Sequence, residues 1–299
     1  MPIYGSTSSI EPVSPGIVVK KPHQLGEEYF DRRFANNFSV ERQILKRLGQ
    51  HPRIVRYLGL QGDGILLGEA SHGNLQTYLD EHHASTSLDQ RLLWCRQLAE
   101  ALDYIHSRGV LHSDLRPGNI LVHETTPGAR DLLLADFGGS VCEELGLDGL
   151  SLPDGPFYSP VFNWQSSVLL DLFGMGSIFY TIHTGRWPYK LTPGRFDKVD
   201  DRLEWEDKVV YPNFQQDKFP DDVRDLPAGD VILACWKREF ATAKDVLAAL
   251  DKYLEVRGKK YAEPIAVMEE KRGGDELNDN VVGVEDRGDH YVGRLISLI

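Results

Sequence analysis

The spacing of apolar residues changes character near residue 73 and divides the chain into two regimes. Ahead of that point Gly16-Ile17-Val18-Val19-Lys20 is a short apolar run bounded by breakers, which predicts a strand. Phe38, Val40, Ile44, Leu45 and Leu48 then recur at helical spacing with Gly49 as a stop, which predicts a helix. The runs 54–58 and 65–67 read as two strands joined by the polar turn Gln61-Gly62-Asp63-Gly64. Beyond residue 73 the period lengthens. A short helix is predicted over 75–82, and a longer one over 88–106, where Leu92, Leu93, Cys95, Leu98, Leu102 and Ile105 line one buried face and Gly109 ends it. Ile120-Leu121-Val122 and Leu132-Leu133-Leu134 flank the turn Thr126-Pro127-Gly128 and form a hairpin. Helices are predicted over 166–184, 229–236 and 242–256. The expectation is an α+β chain, strand-rich over about 1–70 and mainly helical over 71–257. From 258 to 299 the period is lost among Gly, Glu, Asp and Asn. That composition predicts a flexible acidic tail, whose last residues, 291–299, are apolar enough to dock as a short element.

At 299 residues, with 41% hydrophobic positions, the chain can bury one large bilobal core or two modest ones. A formal net charge of −12 argues against a nucleic-acid surface, which needs clustered Lys and Arg. Cys95, Cys142 and Cys235 are odd in number and lack metal-ligand spacing, as free thiols in a reducing compartment would be. No apolar run is long enough to span a bilayer, and the first residues lack the basic and apolar regions of a secretory signal. The expectation is an intracellular protein, cytoplasmic or nuclear, monomeric or in transient complexes, with no nucleic-acid or membrane partner.

Candidate chemistry gathers at the hairpin. His112-Ser113-Asp114-Leu115-Arg116-Pro117-Gly118-Asn119 precedes its first strand, and Asp136-Phe137-Gly138 follows its second. The two ends of a hairpin lie side by side, so Asn119 and Asp136 come together with Asp114 close by. Oxygen ligands so grouped suit Mg²⁺ bound to a nucleotide phosphate. The order Asp, Asn, Asp then reads as base, metal ligand, metal ligand.

These motifs resemble those of the eukaryotic protein kinase family, and the likeness runs from about residue 3 to residue 256. The loop 112–119 is similar to the family's catalytic loop, and Asp136-Phe137-Gly138 to its magnesium-binding motif. Asp171-Leu172-Phe173-Gly174-Met175-Gly176 and Thr184-Gly185-Arg186-Trp187-Pro188-Tyr189 resemble the central helix of the larger lobe and the turn after it. The resemblance implies a bilobal fold, a small antiparallel lobe with one main helix above a larger helical lobe. It implies ATP and Mg²⁺ as cofactors and an unidentified protein as substrate. Lys20 would hold the α and β phosphates, paired with Glu41. Asp114 would accept the proton of the substrate hydroxyl, Arg116 would neutralise the γ-phosphate, and Asn119 and Asp136 would bind the metal. Leu67 would be the gatekeeper, the backbone of Gly68 and Ala70 would read the adenine edge, and Val18 and Leu121 would sandwich its ring. His112 would be structural, packed beside Phe137.

The chain departs from the family pattern in four places. Of the three glycines that cover the phosphates only Gly5 remains, since Ile3 and Ser8 occupy the flanking positions. Ser113 replaces the arginine that receives a phosphate from the activation segment, which predicts activity independent of phosphorylation there. Arg116 stands where serine/threonine kinases carry lysine, while Pro117 follows their pattern. After Gly155-Pro156-Phe157-Tyr158-Ser159-Pro160 the family's glutamate is replaced by Val161, and its arginine partner is missing from 237–243, which predicts a less firmly held docking loop. Three functions follow: a protein kinase acting on Ser/Thr hydroxyls, a pseudokinase serving as a nucleotide-binding or scaffold protein, and a small-molecule phosphotransferase.

Overall fold

The computed structural model describes residues 3–4, 8–153 and 155–258. Gly5 and the tail from residue 259 lie outside the described residues, and so do the expectations of a phosphate-covering glycine, a flexible acidic tail and a docked terminal element. Five strands form one antiparallel sheet in the order β1-β2-β3-β5-β4, with β1 at Ile3–Tyr4, β2 at Ser8–Ser14, β3 at Ile17–Pro22, β4 at Tyr57–Gln61 and β5 at Gly64–Gly68. Register places Val18 opposite Leu67 and Lys20 opposite Ile65. Helix α1, Glu28–Leu48, crosses beside this sheet and buries Phe34, Phe38, Val40, Ile44, Leu45 and Leu48, together with the polar Asn37 and Glu41.

Two expectations are corrected here. The strand predicted over 54–58 begins only at Tyr57. Ile54 and Val55 are buried instead at the join between the lobes, where Val55 N–H donates to Leu134 O at 2.9 Å and Leu134 N–H donates to Arg53 O at 2.8 Å. Their apolar side chains fill the joint rather than the sheet. The helix predicted from Phe38 starts ten residues earlier, at Glu28, because its first turns are polar and only Phe34 among them reaches the core.

The larger lobe holds α2 (Leu75–His82), α3 (Leu88–Ser107), the hairpin β6 (Ile120–Thr126) and β7 (Ala129–Leu134), and a short pair β8 (Val141–Cys142) and β9 (Leu147–Asp148). It continues through α4 (Val168–Thr184), α5 (Val199–Trp205), α6 (Tyr211–Gln215), α7 (Gly229–Trp236) and α8 (Ala243–Val256). A π-helical turn, Glu206–Val210, joins α5 to α6, and none of this stretch was expected from the sequence. Ser167 caps α4 by accepting from Leu170 N–H at 3.1 Å, and Gly185, at φ 72°, ends it in the left-handed region that favours glycine. Every residue from Leu170 to His183 is buried, so α4 is the axis on which α3 and α7 pack. Thr242 and Asp245 cap α8 reciprocally. No helix among the described residues is long and apolar enough to cross a membrane.

Candidate functional site

The cleft between the two lobes draws its charges from elements far apart in sequence. Lys20 sits on β3 and Glu41 less than one turn past the middle of α1, and Lys20 Nζ donates to Glu41 Oε2 at 2.7 Å. The same ammonium donates to Asp136 Oδ1 at 2.8 Å, so one cation bridges two carboxylates across the lobe boundary. Lys20 is 5% exposed and Glu41 1% exposed. Burial alone would push the amine down, but Asp136 and Glu41 outweigh it and hold Lys20 well above its ordinary range. Burial raises Glu41 against the pull of Lys20, whereas at the partly open Asp136 desolvation acts upward but is overcome by Lys20, and the carboxyl is held low. Lysine has three donors, and two are engaged here, which leaves one for an incoming anion.

The catalytic-loop residues lie beneath this network. Ile120 pairs with Leu134, and Ala135 N–H donates to Asn119 O at 3.0 Å, which sets Asn119 beside Asp136 as the hairpin predicts. Asn119 Nδ2 donates to Asp114 O at 2.8 Å and to Asp114 Oδ2 at 3.1 Å. That orientation fixes the amide and turns its carbonyl oxygen away from Asp114. Asp136, in the left-handed region at φ 59°, keeps a side chain 41% exposed while one oxygen serves Lys20. Arg116 Nη2 stands 3.5 Å from Asp114 Oδ2, so base candidate and cation share one mouth.

Asn119 and Asp136 fit a magnesium ion that arrives with phosphates. Among the described residues no group of three or more His, Cys, Asp or Glu could hold a metal by itself. Two protein oxygens leave the rest of an octahedron to phosphate and water, the usual arrangement for Mg²⁺.

At the cleft's back wall, Val18 and Leu121 are each half-buried and packed at the edge of the core. Gly68 N–H donates to Arg56 O at 2.8 Å, so its carbonyl is the group that remains for a ligand. Ala70 follows the end of β5 and is half-buried. His112 is structural. Its ring lies 5.2 Å from that of Phe137, and Nε2 approaches Ala135 O at 3.0 Å. A carbonyl only accepts, so Nε2 carries the proton, and burial keeps the imidazole below its usual pKa and neutral.

Asp171 is the residue that sequence reasoning left without a role. It is 1% exposed on α4, and Oδ2 accepts from His112 N–H at 2.8 Å while Oδ1 accepts from Ser113 N–H at 2.9 Å. His106 Nε2 donates to Oδ2 at 2.9 Å. Ser113 is held at φ 67°, an unfavourable region for a side-chain-bearing residue, with its N–H fixed by this carboxylate. The available signal was a lone carboxylate in the otherwise apolar run 168–176.

Comparison with known proteins agrees with this architecture. The model of the protein kinase domain family matches residues 16–242. The probable serine/threonine-protein kinase gdt4 of Dictyostelium discoideum is 27% identical over 236 residues, which cover 74% of this chain and 14% of the relative. Human ribosomal protein S6 kinase alpha-2 is 31% identical over 169 residues, 52% of this chain and 22% of the relative. The chain therefore spans less than a quarter of the length of these two relatives. Among solved structures, the Rad53 kinase domain with SCD2 in complex with AMPPNP superposes with a TM-score of 0.50 at 21% identity, over 81% of this chain and 88% of that one, a likeness of fold. With the family pattern matched across most of its length and the lobes, cleft and ion network in place, the chain belongs to the protein kinase domain family.

Proposed function

We propose that the chain transfers the γ-phosphoryl group of Mg-ATP to Ser or Thr hydroxyls of proteins. The observation that carries this reading is the buried ammonium of Lys20 shared between Glu41 of one lobe and Asp136 of the other. A cation with a spare donor at the mouth of an interlobe cleft is a phosphate anchor, and Glu41 sets where it points. The adenine ring would lie between Val18 and Leu121, with the Gly68 carbonyl and the Ala70 N–H on its edge. Asn119 and Asp136 would supply two oxygens to magnesium, which when bound neutralises phosphate charge. Asp114 would accept the proton of the attacking hydroxyl, oriented by the Asn119 amide. Arg116, beside it, would offer its guanidinium to the γ-phosphate oxygens, a bidentate match that lysine lacks. Pro117 supports hydroxyls of Ser and Thr over Tyr.

A phosphotransfer assay with generic protein substrates, run beside Asp114→Asn and Asp136→Asn, tests the assignment. Loss of the base should cost about 10²–10⁴ in rate. Unchanged activity in both variants would refute the mechanism, and phosphoamino-acid analysis of the product reads hydroxyl specificity. A second reading, a nucleotide-binding scaffold without transfer, draws on Val161 in place of the family's glutamate and on Ser8 in place of a phosphate-covering glycine. A thermal shift with Mg-ATP and no labelled product would select it.

A further inference from the structure

Ser113 leaves the catalytic loop without a guanidinium to receive an activation-segment phosphate, yet the segment after Asp136 is well anchored. Its anchors come from α1. Asn36 Nδ2 donates to Asp148 O at 2.9 Å, and Arg33 Nη2 donates to Leu150 O at 3.3 Å. One turn before Glu41 and on the same face, Asn37 is buried, and its Nδ2 approaches Ser151 Oγ at 3.4 Å. At the other end of α1, Arg47 pairs with Glu144 while its Nε donates to Arg108 O at 2.7 Å. The segment itself is pressed onto the magnesium-motif backbone: Gly149 N–H donates to Ser140 O at 3.0 Å. A Cβ on Gly149 would lie 2.1 Å from Gly138 O, so only glycine permits the approach.

These contacts join three things in one rigid body: the α1 helix with Glu41, the Asp136–Gly139 turn, and the stretch 143–151. Displacing α1 would break the Lys20 pair and release the segment together. We propose that Arg33, Asn36 and Arg47 are positioning residues that order this segment from α1, in place of a phosphate held by a catalytic-loop arginine. Backbone carbonyls of Leu150 and Asp148 accept from Arg33 and Asn36, and the Glu144 carboxylate pairs with Arg47, so the clamp needs no modification to form. Asn37 and Gly149 shape the contact, the first by filling the space beside Gly138 and the second by leaving room for its carbonyl. The inference rests on the kinase reading only for its effect on turnover.

The test compares the full chain with an Arg33→Ala, Asn36→Ala double variant, both positions being exposed and outside the proposed catalytic set. Two lost hydrogen bonds should speed amide exchange over 146–152 by about tenfold, with α8 as an unchanged reference. Turnover on a generic protein substrate should fall by a similar factor, about tenfold, with the KM for ATP unaltered, because the phosphate anchor is untouched. Arg33→Lys, which retains a donor, should recover part of both effects. Phosphatase treatment of the parent should leave its turnover unchanged. Unaltered exchange over 146–152 in the double variant would overturn the clamp, and so would a large loss of parent activity on phosphatase treatment. If the parent neither binds nor uses ATP, the kinase reading fails, while the exchange measurement still decides the clamp.

Discussion

Asp171→Ala removes the acceptor that fixes the loop in front of the proposed base. Three donors lose their partner: the backbone N–H groups of His112 and Ser113, both buried, and His106 Nε2 at the pocket's edge. Each backbone N–H left buried and unpaired costs about 1–3 kcal/mol. His106 is partly open to water, so its loss is smaller. Water admitted to the space left by the carboxylate offsets part of the total, and a net destabilisation of about 3–5 kcal/mol follows, the usual range for breaking a buried charged network. At about 2–4 °C per kcal/mol for a domain of this size, the unfolding midpoint should fall by roughly 10 °C. Activity should fall further than stability explains, because Ser113 is held in an unfavourable conformation and Asp114 is its neighbour. Asp171→Asn should lie between parent and alanine variant, since it keeps one acceptor oxygen but turns an NH₂ toward the other N–H. Calorimetry with turnover measured well below the midpoint separates the two effects. A midpoint within 2 °C of the parent, a shift worth about 1 kcal/mol or less, would refute the assignment of Asp171 as the support of this loop.

Other consequences follow from the same ion network and its surroundings. Lys20→Met leaves Glu41 buried without its cation, at a cost of up to about 3–5 kcal/mol, and should abolish a Mg-ATP thermal shift. Because burial holds the folded-state pKa of Glu41 above its unfolded value of about 4.3, the variant should lose stability as pH rises through that folded value, read by urea denaturation across pH 5–8. At Asp136 burial acts upward but Lys20 prevails and holds the pKa low, so its contribution is present above about pH 3.9 and lost as pH falls through the folded value; Asp136→Asn should flatten that acid limb in denaturation profiles from pH 2 to 6. Gly149→Ala drives a methyl into Gly138 O and should cost about 1–3 kcal/mol and most of the turnover, whereas Gly118→Ala, with open space around it, should leave the unfolding midpoint unchanged.

The long helices of the larger lobe were legible to within one or two residues. Helices α3, α4 and α8 fall where their apolar spacing sets them, and the hairpin β6–β7 turns at Pro127 and Gly128 as its breakers require. The misses share a cause. Strand β2 carries Pro12 and is half exposed, the first turns of α1 bury little, and the helical stretch 199–215 presents mixed polar faces, so none has a clean period. At the site, adjacency of Asn119 and Asp136 followed from the hairpin alone, the pairing of Lys20 with Glu41 came only with the family resemblance, and the contact of Lys20 with Asp136 only with the structure. Asp171, Asn36 and Arg33 escaped notice because their partners are backbone groups of distant elements, and a backbone amide leaves no letter in the sequence.

The docking loop shows how a missing ion pair is met by other means. Val161 lies at the surface where the family places its glutamate, yet the residues before it are firmly packed. Tyr158 stacks on Trp164 with centroids 4.6 Å apart, and its hydroxyl oxygen accepts from Trp164 N–H at 2.9 Å. Phe157 meets Trp187 edge-on at 5.9 Å, Phe162 meets Phe173 at 5.5 Å, and Gly155 N–H donates to Tyr211 OH at 3.2 Å. Replacing a buried ion pair by well-packed apolar groups is often neutral or stabilising, so the loop is anchored despite the loss. The near end of the same segment hangs on neutral carbonyls and the far end on aromatic rings. The surface Arg47–Glu144 pair at the near end is screened by salt, the carbonyl and aromatic contacts are not screened strongly, and none of them waits for a phosphate. The charges that remain in the cleft, Lys20, Glu41, Asp136, Asp114 and Arg116, are then those that the transfer of a phosphoryl group would use.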